Sequence, residues 1–207
     1  RGSKESVQGQ LAKRKGFHSF DELGILVCLA ALCIVIGCIN PTFVSWDNLL
    51  NVFRTTSYYI IIAAFATLVM IIGGLDLSVG SVMGLAGILV GVMIVNGVPV
   101  VLAIVLSMLL CMMIGIANGI ISVKGKVPPL ITTLGTLYIA RGICNVITKG
   151  MPISSFPKEF LELGNGTLFG VPYSVYIAVG VVIIVGYILK NTVYGRSIYA
   201  VGGNQDT

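Results

Sequence analysis

The chain has 207 residues, 56% of them hydrophobic and only 10% charged, with a mean hydropathy of +0.99. Soluble domains carry about 25% charged residues, so this composition excludes one and predicts an all-α protein that crosses a membrane several times. The formal net charge of +5 comes from basic residues that mostly flank the apolar runs, as orientation signals do, so nucleic acid is not implied as a partner.

Residues 1–22 are polar and basic, with Lys13-Arg14-Lys15 just ahead of the first apolar run, and they read as a cytoplasmic tail. A secretory signal does not fit, because the run ends in Asn40-Pro41-Thr42-Phe43 without a small-residue cleavage site. Ser19 and Glu22 have capping-box spacing, which predicts a first span over residues 23–39. Residues 40–57 read as a loop with an interfacial helix: Ser45 is a possible cap, and Phe43, Trp46, Tyr58 and Tyr59 mark headgroup depth. A second run, 60–72, is short for a span without Tyr58 and Tyr59.

Next comes the most informative stretch, Gly73-Gly74-Leu75-Asp76-Leu77-Ser78-Val79-Gly80-Ser81. Asp76 is the only full charge between Arg54 and Lys124. An Asp at a helix centre in lipid costs about 2.5–3.5 kcal/mol on insertion scales, so such a residue faces protein or a water-filled cavity. The paired glycines let the backbone break near residue 74, after which Asp76 and Ser78 fall near the first turn of a new helix. There an anion is favoured by free N–H groups and the helix dipole. Two readings stay open: Asp76 and Ser78 cap a buried half-helix, or they line a route for a polar solute. Both need a helix interrupted inside protein, a habit of transporters and channels.

The third run, 77–95, carries Gly80, Gly84, Gly87 and Gly91 at steps of four, three and four, a glycine face suited to close helix packing in lipid. Asn96 to Pro99 make a turn before a fourth run, 100–123, with Gly115 and Gly119 at GxxxG spacing and Asn118 between them. Asn118 is expected to pair between helices or to touch solute. Pro128-Pro129 forbids a continuous helix, and residues 130–147 form a fifth span, whole or broken, that lines the interior with Thr133 and Thr136. Arg141 near its far end either snorkels to the interface or pairs with an acid such as Asp76. Residues 148–172 are a long polar loop in which Pro157 opens a short helix reaching Leu163 before a stop at Gly164. Asn165-Gly166-Thr167 matches a glycosylation acceptor too short to weigh. Residues 173–189 complete about six crossings. With the N-terminus inside, Lys124, Lys126, Lys190 and Arg196 all fall on the inner side. The exceptions are Arg54, Lys149 and Lys158. The organisation is therefore a tail at 1–22, a transmembrane domain at 23–189 and a polar segment at 190–207. That segment is supplied with anchors such as Tyr194, Arg196 and Asn204, beside Gly195 and Gly202-Gly203.

Catalysis finds no support. The five cysteines lack a His at ligand spacing, so neither metal nor disulfide chemistry is expected. The stretch Gly119 to Lys126 has five residues between its glycines and Val127 after the lysine, so it is no phosphate loop. His18 is the only histidine, and no serine has a candidate base. A secondary transporter needs coupling acids in its spans, and only Asp76 is available. An energy-coupled permease needs only a hydrophilic route and a docking surface, with ATP bound by a separate subunit.

The Gly73–Ser81 stretch resembles the signature of the ribose-type monosaccharide permeases of bacterial ABC importers. Further likenesses follow in that family's order: Lys124-Gly125-Lys126-Val127-Pro128-Pro129, Thr133-Leu134-Gly135-Thr136, Ala140-Arg141-Gly142, Gly150-Met151-Pro152-Ile153, and Tyr194-Gly195-Arg196 through Asn204. The resemblance implies a permease of the cytoplasmic membrane that works as a homodimer or heterodimer. An extracytoplasmic binding protein would deliver a pentose or hexose, and cytoplasmic ATPases would drive the cycle. It also implies that residues 190–207 begin the cytoplasmic segment that docks on the ATPase, with Tyr194, Gly195, Arg196 and Asn204 as contacts. Permeases of this type continue well past the Tyr-Gly-Arg block, so the chain is expected to be the N-terminal part of a larger one.

Overall fold

A computed structural model describes residues 23–203; the predicted tail with its capping box, and Asn204, lie outside the described residues. The chain divides into two compact units, residues 1–52 and 53–207.

In the first unit α1 spans Leu23–Ile39. It is followed by a 3-10 turn, Pro41–Val44, in which Asn40 Oδ1 accepts from the Thr42 N–H at 3.1 Å. Ser45 caps the next helix as expected, its Oγ accepting from the Asn48 N–H at 3.3 Å. That helix, α2, runs Trp46–Ile71 without interruption, so the helix expected within 40–57 is present but continuous with the second apolar run, and the loop before it shrinks to Asn40, the 3-10 turn and Ser45. No Gly or Pro falls between Trp46 and Ile71 to stop it. Its polar side chains find partners instead of solvent. Ser57 Oγ donates to the Phe53 carbonyl at 2.6 Å.

The second unit holds the remainder of α2, then α3 (Val79–Val95), α4 (Val100–Val123), α5 (Pro129–Thr148), α6 (Lys158–Asn165), α7 (Tyr173–Asn191) and α8 (Val193–Gly203). α3 packs on both α4 and α5, and these pack on each other, a three-helix core. α5 is unbroken, with Pro129 in its first turn where the missing N–H costs nothing. α6 runs through Gly164 to Asn165, one turn-end later than the expected stop. Arg54 Nη2 donates to the Asn165 carbonyl at 3.0 Å, placing a cation on the C-terminal end of α6, where the dipole favours it. This gives Arg54, an exception in the loop-charge pattern, a structural reason.

The helical class has one small addition, an antiparallel pair of two-residue strands, β1 (Thr167–Leu168) and β2 (Val171–Pro172). They are joined by Phe169 (φ 51°) and Gly170 (φ 78°), the two left-handed residues of a primed hairpin turn. In the polar segment after α7 a further helix, α8, begins at Val193. Thr192 makes the corner: its Oγ1 accepts from the Gly195 N–H at 3.1 Å and donates to the Ile188 carbonyl at 2.6 Å.

Burial is inverted relative to a water-soluble protein. Most buried positions are small or polar, Ala103, Ala140, Ala178, Ser57, Ser78, Ser107 and Thr133 among them, with Leu85, Ile94 and Val185 as larger apolar exceptions. Large apolar side chains such as Val101, Met108, Ile183 and Tyr187 are exposed. Each would lose about 1.5–3 kcal/mol by facing water instead of an apolar medium, so this surface requires lipid. Among the described residues, four helices are long and apolar enough to cross a membrane: α2, α4, α5 and α7. α1 and α3 are shorter apolar helices.

Candidate functional site

The site begins where α2 stops. Gly73 adopts φ 85°, which only glycine takes readily. Its N–H bonds the Met70 carbonyl and the Gly74 N–H bonds the Val69 carbonyl, each at 3.0 Å. These are the two bonds of a Schellman stop, which satisfy the last carbonyls of α2. Residues 74–78 then run without regular structure before α3 opens at Val79.

In that connection Asp76 Oδ1 accepts from the Ser78 N–H at 2.8 Å and from the Ser78 hydroxyl at 2.6 Å. Capping is thus divided differently from the expectation. Ser78 holds the cap position but makes no side-chain cap bond, its backbone being already helical (φ −78°, ψ −18°) and not extended as in a capping residue. Asn118 of α4 donates from Nδ2 to Ser78 Oγ at 3.3 Å, and Thr136 of α5 donates to Asn118 Oδ1 at 2.5 Å. Donors therefore run in one direction, Thr136 to Asn118 to Ser78 to Asp76, each acceptor polarised by the next bond. Thr133 Oγ1 bonds the Pro129 carbonyl of its own helix at 2.8 Å and lies 3.3 Å from the Leu75 carbonyl. The connection is thereby tied to both α4 and α5.

Ser78 is 2% exposed, whereas Asp76 is half-buried. Asp76 and Ser78 open into a cleft of about 300 Å³ between α3 and α4, also lined by Val82, Met83, Cys111 and Gly115. A volume of this size is at the small end of small-molecule pockets, about 300–1,000 Å³. Cys111 was read from the sequence only as a small hydrophobe. Its one signal was the run Ser107, Cys111 and Asn118, which share one face of α4.

The remaining candidates lie outside this network. Ser81 is half-buried in the first turn of α3. Arg141 is exposed on α5, and the hydrogen bonds to Asp76 come from Ser78. Of the glycine face on α3, Gly91 alone is closely covered, by Ile153 and Phe156 at 3.3 Å from where a Cβ would stand. Among the described residues, nothing lies within that reach of Gly80, Gly84 and Gly87, nor of Gly115 and Gly119 on α4. On α8, Tyr194 and Arg196 are exposed and Gly195 is buried.

Apolar helices with small residues inside, large ones outside and one polar network at the end of a 300 Å³ cleft define a multi-pass α-helical membrane protein. The chain belongs to the family of permease components of branched-chain amino acid transport systems, whose pattern matches residues 48–207. It is 40% identical over 183 residues to the ribose import permease protein RbsC of Haemophilus influenzae, covering 86% of this chain and 57% of that protein. The Bacillus subtilis RbsC is 38% identical over 186 residues, covering 89% of this chain and 58% of that protein. The autoinducer 2 import system permease protein LsrC of Escherichia coli O9:H4 is 33% identical over 183 residues, covering 88% and 54%. The chain thus spans somewhat over half the length of these curated relatives. No solved structure matches it.

Proposed function

We propose that this chain belongs to the transmembrane permease subunit of an ATP-driven importer that moves a monosaccharide, such as ribose or a related pentose or hexose, across the cytoplasmic membrane. The observation that carries this reading is the polar network from Thr136 to Asp76 opening on a cleft between apolar helices. Hydroxyl, amide and carboxylate groups are what a route for a polyol requires, and an idle membrane anchor has no use for them. The names of the relatives, ribose import permeases and an autoinducer 2 permease, favour a small polyhydroxylated solute.

In this reading all six apolar helices cross the membrane with the N-terminus inside, and the Gly73–Gly74 stop interrupts the helical path at the inner end. A cytoplasmic ATPase binds the ATP, an extracytoplasmic binding protein supplies the sugar, and two permease chains form the path. Tyr194, Arg196 and Asn204 belong to the ATPase-facing side, while Gly195 seats their helix against the end of α7. The permease itself performs no chemistry. Its work is to offer hydrogen-bonding groups in sequence while apolar helices exclude ions.

The full-length permease, reconstituted in liposomes with its ATPase and binding protein, is expected to take up labelled ribose only when ATP is inside the compartment that holds the ATPase. Uptake abolished by an uncoupler but indifferent to ATP would replace this reading by a secondary transporter. Orientation is checked separately, by single cysteines in a cysteine-free background of intact cells. Phe169→Cys, at a hairpin tip 93% exposed, should react with an impermeant thiol reagent while Lys124→Cys should not. The opposite pattern would invert the topology.

A further inference from the structure

The end of α2 is touched from an unexpected direction. A Cβ placed on Gly202 of α8 would run into the Ile71 carbonyl oxygen and carbon. Ile71 is the last residue of α2, directly before the Schellman stop at Gly73. The obstacle is backbone, which cannot rotate away as a side-chain tip does. Seven residues earlier on α8, Gly195 makes the same kind of approach, where a Cβ would strike the Ile188 and Leu189 carbonyls at the end of α7. A seven-residue step is close to two helical turns, so both glycines lie on one face. α8 is therefore seated at two points, one on the end of α7 and one on the end of α2.

The structure puts Gly202 inside a helix, α8. Between Ile71 and Asp76 only four residues intervene, and two of them are the glycines of the stop. The far side of that connection is bonded to α5 through the Leu75 carbonyl and to α4 through Ser78. A displacement of α8 thus has a short, hydrogen-bonded path to the carboxylate that borders the cleft.

We infer that Gly202 is a positioning residue: its backbone contact with the Ile71 carbonyl links α8 to the Asp76 connection, so that movement of α8 opens or closes the cleft. This rests on the importer reading, in which α8 lies on the ATPase side. Tyr194 and Arg196 stay exposed on the same helix and are available to a partner, while the glycine face carries the movement inward. A glycine is needed at 202 because any side chain would lift α8 off the end of α2.

The neighbouring Gly203 supplies the control, since a Cβ there meets nothing within 4 Å among the described residues. In the full-length permease assembled with its ATPase and binding protein, Gly202→Ala should keep ATPase association and ATP hydrolysis. It should lower sugar taken up per ATP hydrolysed by about tenfold or more, within the 5- to 150-fold span of typical couplings. Gly203→Ala, with the same change in helix propensity, should transport as the parent does. Equal ratios for the two variants would overturn the inference. If Gly202→Ala fails to assemble, the unmutated complex decides. Trapping the ATPase with ATP and vanadate should change amide hydrogen exchange in residues 69–78 several-fold, and no change there would refute the link. Absence of ATP-dependent uptake in the unmutated assembly would instead remove the importer reading, and this inference with it.

Discussion

Asp76→Leu should leave little assembled permease, whereas Asp76→Asn should assemble nearly as the parent and transport poorly. The asymmetry follows from what each replacement leaves behind. Asparagine keeps an oxygen at the Oδ1 position, so the Ser78 N–H and hydroxyl retain their acceptor at 2.8 and 2.6 Å. Leucine removes the acceptor from both groups on a residue that is 2% exposed. Each buried donor left unpaired costs about 1–3 kcal/mol, a large part of the few kcal/mol by which folded proteins are stable. The Ser78 hydroxyl can turn to another acceptor, but its N–H cannot, so the loss is not the full sum. For uptake the charge is the issue. If the carboxylate contacts the solute, Asp76→Asn should slow uptake by about tenfold or more, equivalent to about 1.4 kcal/mol in the barrier. Quantifying detergent-extracted permease by gel filtration and uptake in liposomes separates the two effects. Equal yields for the two variants would dismiss the structural role, and parental uptake by Asp76→Asn would dismiss the charge.

The second large effect is expected at Asn118. Replacement by Leu preserves the approximate volume in α4 but removes the amide that accepts from Thr136 at 2.5 Å and donates to Ser78 at 3.3 Å. Interhelical polar contacts in membranes average about 0.6 kcal/mol and reach about 1.7. The short Thr136 bond and the chain of donors behind it place this case toward the upper figure. The loss of about 1–2 kcal/mol should appear as a fall of several degrees in the melting midpoint, at about 2–4 °C per kcal/mol for a chain of this size. Asn118→Leu combined with Thr136→Val should melt close to Asn118→Leu alone, because the two residues share one bond. Additive shifts would mean that the two side chains act separately.

Much of this protein was legible in one dimension because the bilayer restricts the answer so severely. Continuous apolar runs located all six apolar helices, and α4 was found to the residue, since in lipid the backbone must bond to itself and so becomes helix. Asp76 was conspicuous because no other charge stands between Arg54 and Lys124. After α2 the chain takes a left-handed φ of 85° at Gly73, a conformation eased by the absence of a Cβ. Where the sequence misled, polar side chains had found distant partners. Residues 40–57, read as a loop with a separate interfacial helix, instead join the second apolar run in one helix from Trp46 to Ile71, with Arg54 reaching a carbonyl 111 residues away.

Only the tertiary structure could join Asp76 to Asn118 and Thr136. Ser78 and Asn118 are separated by 40 residues, Asn118 and Thr136 by 18, and no spacing rule spans different helices. The same holds for the glycines. On α3 their regular period suggested a packing face, but among the described residues only Gly91 of that face is closely covered, while Gly202 on α8 meets a carbonyl. Period fixes which residues share a side of a helix. What stands opposite that side depends on how other helices cross it, and that is set by the whole arrangement of the chain.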